Sequence, residues 1–101
     1  TSDLQTALHG IDLIYTDCWP KPNDTFTKEH IRQLFAPYQI TAVHLAALNE
    51  RSIFLPCPPV TRGEEVSADA MQSPLCLNYE AKNFLLHAQN AIMEMLISQT
   101  L

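Results

Sequence analysis

The apolar positions of this chain fall in short runs, and their period changes from one segment to the next. In residues 1–10, Leu4, Ala7 and Leu8 are helically spaced and Gly10 sits where a helix C-terminus would place it. These residues read as the tail of a helix, as if the chain were cut from something longer. Ile11-Asp12-Leu13-Ile14-Tyr15-Thr16 is nearly continuous in apolar character, which predicts a parallel strand over 11–16 covered on both faces. A helix is predicted over Lys28–Phe35, where Ile31, Leu34 and Phe35 share a face, with Thr25 or Thr27 as its cap and Pro37 as its stop. A shorter helix over 41–48 presents Val43, Leu45, Ala46, Ala47 and Leu48, and a strand over 52–55 follows. Next come a short helix over 66–71, capped by Ser67 and closed before Pro74, and a brief third strand over 75–79. The last and longest helix is predicted over 81–98. Its apolar residues, Leu85, Leu86, Ala88, Ala91, Ile92, Met95 and Leu96, spread over more than one face. Such a helix wants cover on several sides, and little of the chain is left to provide it.

Strands alternating with helices define an α/β class: a parallel sheet flanked by helices. With no repeat or low-complexity tract, residues 1–101 read as one unit. At 101 residues, 47% hydrophobic and 17% charged, the chain has the profile of a globular protein with a modest core. A net charge of −5 with six Lys and Arg and no basic run argues against nucleic acid and against anionic membrane surfaces. Cys18, Cys57 and Cys76 are odd in number and irregular in spacing, with no zinc pattern, and point to reduced thiols and a cytosolic setting. Neither a signal peptide nor a membrane span is predicted. His9, His30, His44 and His87 are scattered without ligand spacing, so no metal site is expected.

Chemistry is expected where the two main strands end. The second strand runs into Phe54-Leu55-Pro56-Cys57-Pro58-Pro59-Val60-Thr61-Arg62-Gly63-Glu64-Glu65-Val66. Its prolines donate no N–H and push their predecessors towards extended backbone, leaving carbonyls free of a ladder. The first strand runs into Asp17-Cys18-Trp19-Pro20-Lys21-Pro22-Asn23. In open α/β sheets such strand ends are where ligands bind. Glu64 and Glu65, adjacent on a short helix, would point apart and read as structural rather than as an acid–base pair.

These residues also carry a resemblance. Phe-Leu-Pro-Cys-Pro-Pro followed by Arg-Gly-Glu-Glu-Val resembles the His-Cys-Leu-Pro loop of the ornithine carbamoyltransferases and its continuation. Upstream, Asp12-Leu13-Ile14-Tyr15-Thr16-Asp17-Cys18-Trp19 is similar to that family's Asp-Val-Ile-Tyr-Thr-Asp-x-Trp strand, and Pro37-Tyr38-Gln39-Ile40 to its Pro-Tyr-Gln-Val. Downstream, Ser73-Pro74 and Leu86-His87-Ala88-Gln89-Asn90-Ala91 are similar to its Ser-Pro and Leu-His-Ala-Gln-Lys-Ala segments. Together they cover nearly the whole chain, in order.

The resemblance implies the C-terminal, amino-acid-binding domain of an enzyme in which an amine of ornithine attacks the carbonyl carbon of carbamoyl phosphate. It implies a partner N-terminal domain that holds the phosphate through a Ser-Thr-Arg-Thr-Arg-type motif, which this chain lacks, and against which the last helix packs. It also implies a trimer made mostly by those N-terminal domains, and brings no cofactor. By the same resemblance, Asp17 holds the α-amino group of ornithine. Cys57 lies beside the ornithine side chain as the catalytic-site cysteine, and the carbonyls of Cys57 and Pro58 accept hydrogen bonds from the carbamoyl NH₂.

Three departures fall on the implied site. Lys21-Pro22-Asn23 stands where the family has the mobile Ser-Met-Gly, exchanging glycine freedom for proline stiffness and adding a charge able to meet a substrate carboxylate. Pro56 stands in place of the family histidine. An arginine that polarises the carbamoyl carbonyl falls on Phe84 or Leu85. Two alternatives therefore stand beside the transferase reading: a non-catalytic binding module on the same fold, and a carbamoyltransferase for a different amine acceptor.

Overall fold

The computed structural model describes residues 1–98. Helix α1 (Leu4–Ala7) leads into strand β1 (Leu13–Thr16). Helix α2 (Lys28–Phe35), a 3-10 turn at Ala36–Tyr38 and helix α3 (Ala42–Ala46) then carry the chain across to strand β2 (Ile53–Pro56). A second 3-10 turn at Ala70–Gln72 precedes helix α4 (Asn78–Ser98). The two strands are parallel, with Leu13 opposite Ile53 and Thr16 opposite Pro56. A long crossover is what parallel pairing demands, since no tight turn can return a strand in the same direction.

Local chemistry sets the helix bounds. The Thr27 hydroxyl accepts from the His30 N–H at 3.2 Å, capping α2 and deciding between the two candidate caps, Thr25 and Thr27. At α3 the Thr41 N–H donates to Nδ1 of His44 at 3.2 Å, so this histidine has a structural partner. Gly10 takes φ +68°, the left-handed turn that lets the chain leave α1 and enter β1.

The core is one cluster: Ile14, Ile40, Leu45, Phe54, Val66 and Ala70. Phe54 is its centre, fully buried on β2. Its N–H donates to the Leu75 carbonyl at 2.8 Å, and its carbonyl accepts from Leu77 at 3.1 Å. Burying a side chain of this kind is worth about 1.5–3 kcal/mol. Ile40 bridges Val66 in parallel, which ties the end of the proline loop to the α2–α3 connection.

Three expectations need correction. Residues 75–79 form no third strand: Cys76 makes a single bridge to Phe54, and Asn78 and Tyr79 already belong to α4. Residues 66–71 form no helix either. Val66 is held in bridges to Ile40 and Arg62, and Ser67 and Asp69 engage the Ala70 N–H, leaving only the 3-10 turn beyond it. The sheet is covered on one face rather than two. Ile14 and Phe54 face the core, while Leu13 (52% exposed) and Tyr15 (63%) stand bare among the described residues. The expectation for the last helix holds: Phe84, Leu86, Ile92, Met95 and Ile97 are all more than half exposed.

Candidate functional site

The sheet sets the spacing of the two loops. The Thr16 carbonyl accepts from the Cys57 N–H at 2.9 Å, so both chains leave the sheet side by side at its C-terminal edge. Asp17 comes next on one chain, Cys57 on the other. At the opposite end the buried Ser52 hydroxyl donates to the Ile11 carbonyl at 3.0 Å, fixing the register there.

Cys57 and Pro58 open onto a cavity of about 760 Å³ between the strand ends and the first turns of α4, shared with Tyr15, Asn78, Lys82 and Leu85. The Pro58–Pro59 peptide is cis. The Cys57 thiol lies 3.7 Å from the Pro58 carbonyl, and the Cys18 thiol donates to the Pro59 carbonyl at 3.2 Å while approaching that of Cys57 at 3.8 Å. Thiols are weak donors, so a stronger N–H donor can claim these carbonyls.

Asp17 lines a neighbouring cleft of about 480 Å³ with Thr16, Trp19 and Glu65. Its Oδ1 accepts from the Cys18 N–H at 2.7 Å, and the carboxylate is exposed. Lys21 lines neither space; it is exposed and makes no hydrogen bond or ion pair among the described residues. Asp17 and the Cys57–Pro58 pair therefore share the sheet edge without sharing a cavity.

Electrostatics joins them through Tyr15. Its phenol is held above its ordinary value, first by hydrogen bonding with the Cys57 side chain, then by electrostatic interaction with that side chain, by desolvation and by interaction with Asp17 and Cys18. The Cys18 thiol is also pushed up, by desolvation first and then by Glu65, Asp17 and Cys57, so it stays protonated and able to donate. Tyr15 carried no site expectation. Its place in a run of apolar residues concealed an exposed hydroxyl next to Cys57.

Lys82 is the second residue that the sequence pattern did not single out. It lies one turn before Leu85 on α4, and both line the Cys57 cavity. A positive charge therefore does border this space, although Phe84 and Leu85 supply none. The i, i+3 relation to the position where an arginine was sought is the signal that could have found it.

Glu64 and Glu65 sit in a loop rather than on a helix. Glu65 is 3% exposed and its Oε1 accepts from the Thr61 N–H at 2.5 Å, while the Glu64 carbonyl accepts from Gln39 Nε2 at 2.6 Å. Both brace the proline loop. Among the described residues no group of three or more His, Cys, Asp or Glu is placed to hold a metal, and no helix is long and apolar enough to cross a membrane.

A parallel sheet whose strand ends carry a carboxylate, a thiol and weakly bonded carbonyls, with a lysine of α4 beside them, is an α/β arrangement whose C-terminal edge is the candidate small-molecule site. Residues 1–96 match the model of the aspartate/ornithine carbamoyltransferase family, in its Asp/Orn-binding domain, and the chain belongs to that family. Among similar sequences, the ornithine carbamoyltransferase of Methanobrevibacter smithii is 36% identical over 93 residues, 92% of this chain and 31% of the relative. That of Geobacillus stearothermophilus is 38% identical over 93 residues, 92% of this chain and 30% of the relative. Among solved structures, the ornithine carbamoyltransferase of Pyrococcus furiosus aligns with a TM-score of 0.76 at 31% identity, covering 90% of this chain and 29% of its own. The chain thus spans about a third of the length of the relatives it matches.

Proposed function

We propose that this chain is the amino-acid-binding part of an ornithine carbamoyltransferase-like enzyme. In this reading the amine nitrogen of ornithine or a related amino acid attacks the carbonyl carbon of carbamoyl phosphate. The new C–N bond forms, the C–O bond to phosphate breaks, phosphate leaves with the electron pair and the amine loses a proton. The observation that carries the reading is the juxtaposition of Asp17 with the Cys57 and Pro58 carbonyls on adjacent strand ends, held by the Thr16–Cys57 hydrogen bond.

Each group has a role its chemistry suits. Asp17 accepts a charge-assisted hydrogen bond from the α-ammonium. The Cys57 and Pro58 carbonyls take the carbamoyl N–H groups, displacing weak thiol donors. Cys57 lines the space for the acceptor's side chain. Lys82 places positive charge towards the carbonyl oxygen, where charge develops as the amine attacks. The phosphate is held by the part of the enzyme that lies outside this chain, and the apolar surface of α4 packs against that part. Lys21, exposed and lining neither cavity, is a solvated charge of the loop that follows Asp17.

Calorimetric titration of the complete enzyme carrying this chain tests the reading, with carbamoyl phosphate first and then ornithine or N-acylated ornithines. Ordered uptake of carbamoyl phosphate and one amine is the expected result, with Asp17→Asn weakening the amine step about tenfold or more. A folded protein that takes up no carbamoyl phosphate overturns it.

A further inference from the structure

Three of the chain's six Lys and Arg residues, Lys28, Arg32 and Arg62, border one cavity of about 590 Å³, in a chain whose net charge is −5. Lys28 and Arg32 are one turn apart on α2, whereas Arg62 comes from the proline loop 30 residues further on, so the fold brings this charge together. Like charges gathered on a surface repel, and a carboxylate nearby normally neutralises them. Here Lys28 alone is answered, by Glu64 at 3.6 Å, the one ion pair among the described residues. The guanidinium groups of Arg32 and Arg62 have no carboxylate and no hydrogen-bond acceptor among those residues.

We propose that this cavity binds a small oxyanion, the chemistry shared by carboxylates and phosphates. Guanidinium groups present forked N–H donors that match such oxygens two at a time. The volume lies in the range of small-molecule sites. Trp19 forms one wall, its ring held at 6.0 Å from Phe35, with Pro20 and Pro22 beside it, so the site offers an apolar surface to the body of an organic anion as well as charge to its head. Glu64 acts as the resident competitor that an incoming anion displaces from Lys28. The site is separate from the Cys57 cavity and shares no lining residue with it.

The test titrates the purified protein with sodium phosphate and, separately, sodium succinate at constant ionic strength, following the indole N–H resonance of Trp19, assigned by its loss in Trp19→Phe. At least one anion should give a saturable shift, and which one does so tells phosphate from carboxylate as the source. Arg62→Gln and Arg32→Gln should each weaken it about tenfold or more. Glu64→Gln should tighten it about two- to fivefold. Lys82→Gln, which alters only the Cys57 cavity, should leave it unchanged. A response to both anions that never saturates and equals that of sodium chloride overturns the proposal. So does a saturable response indifferent to both arginine substitutions, or one abolished by Lys82→Gln.

Discussion

Helices α2 and α4 show opposite relations between a helix and its surroundings. α2 has eight residues, a hydroxyl cap at Thr27 and one apolar stripe whose Ile31 is 5% exposed. Its polar face carries Lys28, Glu29 and Arg32 to the outside. α4 has 21 residues, and its apolar side chains stand exposed around most of its circumference. The first helix finds within this chain the cover its Ile31 requires, with Leu34 left 50% exposed. The second does not, because only its first turns, through Asn78, Ala81, Lys82 and Leu85, meet the sheet edge.

The sharpest way to break this comparison is to remove apolar volume from each region. Phe54→Ala, at the centre of the core cluster it forms with Ile14, Leu45 and Val66, should cost about 3–5 kcal/mol in denaturant unfolding. Ile92→Ala, on α4 and 58% exposed, should change the stability of the 101-residue chain by no more than about 0.5 kcal/mol. If the two costs are alike, α4 is as buried as the core and the contrast fails. Repeating Ile92→Ala in a longer polypeptide carrying this chain sharpens it, since a cost of about 2–5 kcal/mol there would show the helix covered. A smaller effect is expected at the α2 cap, where Thr27→Ala should cost about 1 kcal/mol, with Thr27→Ser keeping most of the stability.

The smallest effect concerns acid. Asp3, through the Thr6 hydroxyl first, and Asp69, through the Ser67 hydroxyl first, have carboxyls held below the ordinary aspartate value. Groups depressed in the folded state add stability above the ordinary value, near about 3.9, and lose it as pH falls through their own lower values. Amide resonances of Thr6 and Ala70 should therefore move in that acid window, α1 and the Ala70–Gln72 turn loosening there while α2 keeps its cap. Movement at neutral pH instead would contradict this assignment.

Much of this organisation was legible in the sequence where one signal acted alone. Thr25 or Thr27 ahead of an amphipathic stretch and Pro37 behind it bound α2 to Lys28–Phe35, as found, with Thr27 the cap. The strand-to-loop switch at Asp17 was equally plain, whereas β2 runs one residue past its expected end, through Pro56, which pairs with Thr16. Legibility failed where two signals competed. Leu75, Leu77 and Tyr79 alternate like a strand, yet the helix beginning at Asn78 takes the last of them and leaves one bridge at Cys76. Ser67 looked like a helix cap, but Val66 was already committed to Ile40. At the site, spacing placed Asp17 and Cys57 on neighbouring strand ends without telling which way each opens once the ladder stops. Lys82 and Tyr15 stayed hidden because their importance lies in what they face across the fold.

A pair of hydrogen bonds, Ser52 to Ile11 and Cys57 to Thr16, clamps the two strands at their opposite ends. With both ends pinned, the separation of the two loops is set by the strand pair rather than by loop side chains, and substitutions within the loops alter what is displayed without altering where. Such a frame tolerates innovation. Lys21 and Pro22 can be exchanged one at a time while the remaining groups keep their places, so the chemistry the loop displays can change without first losing the fold.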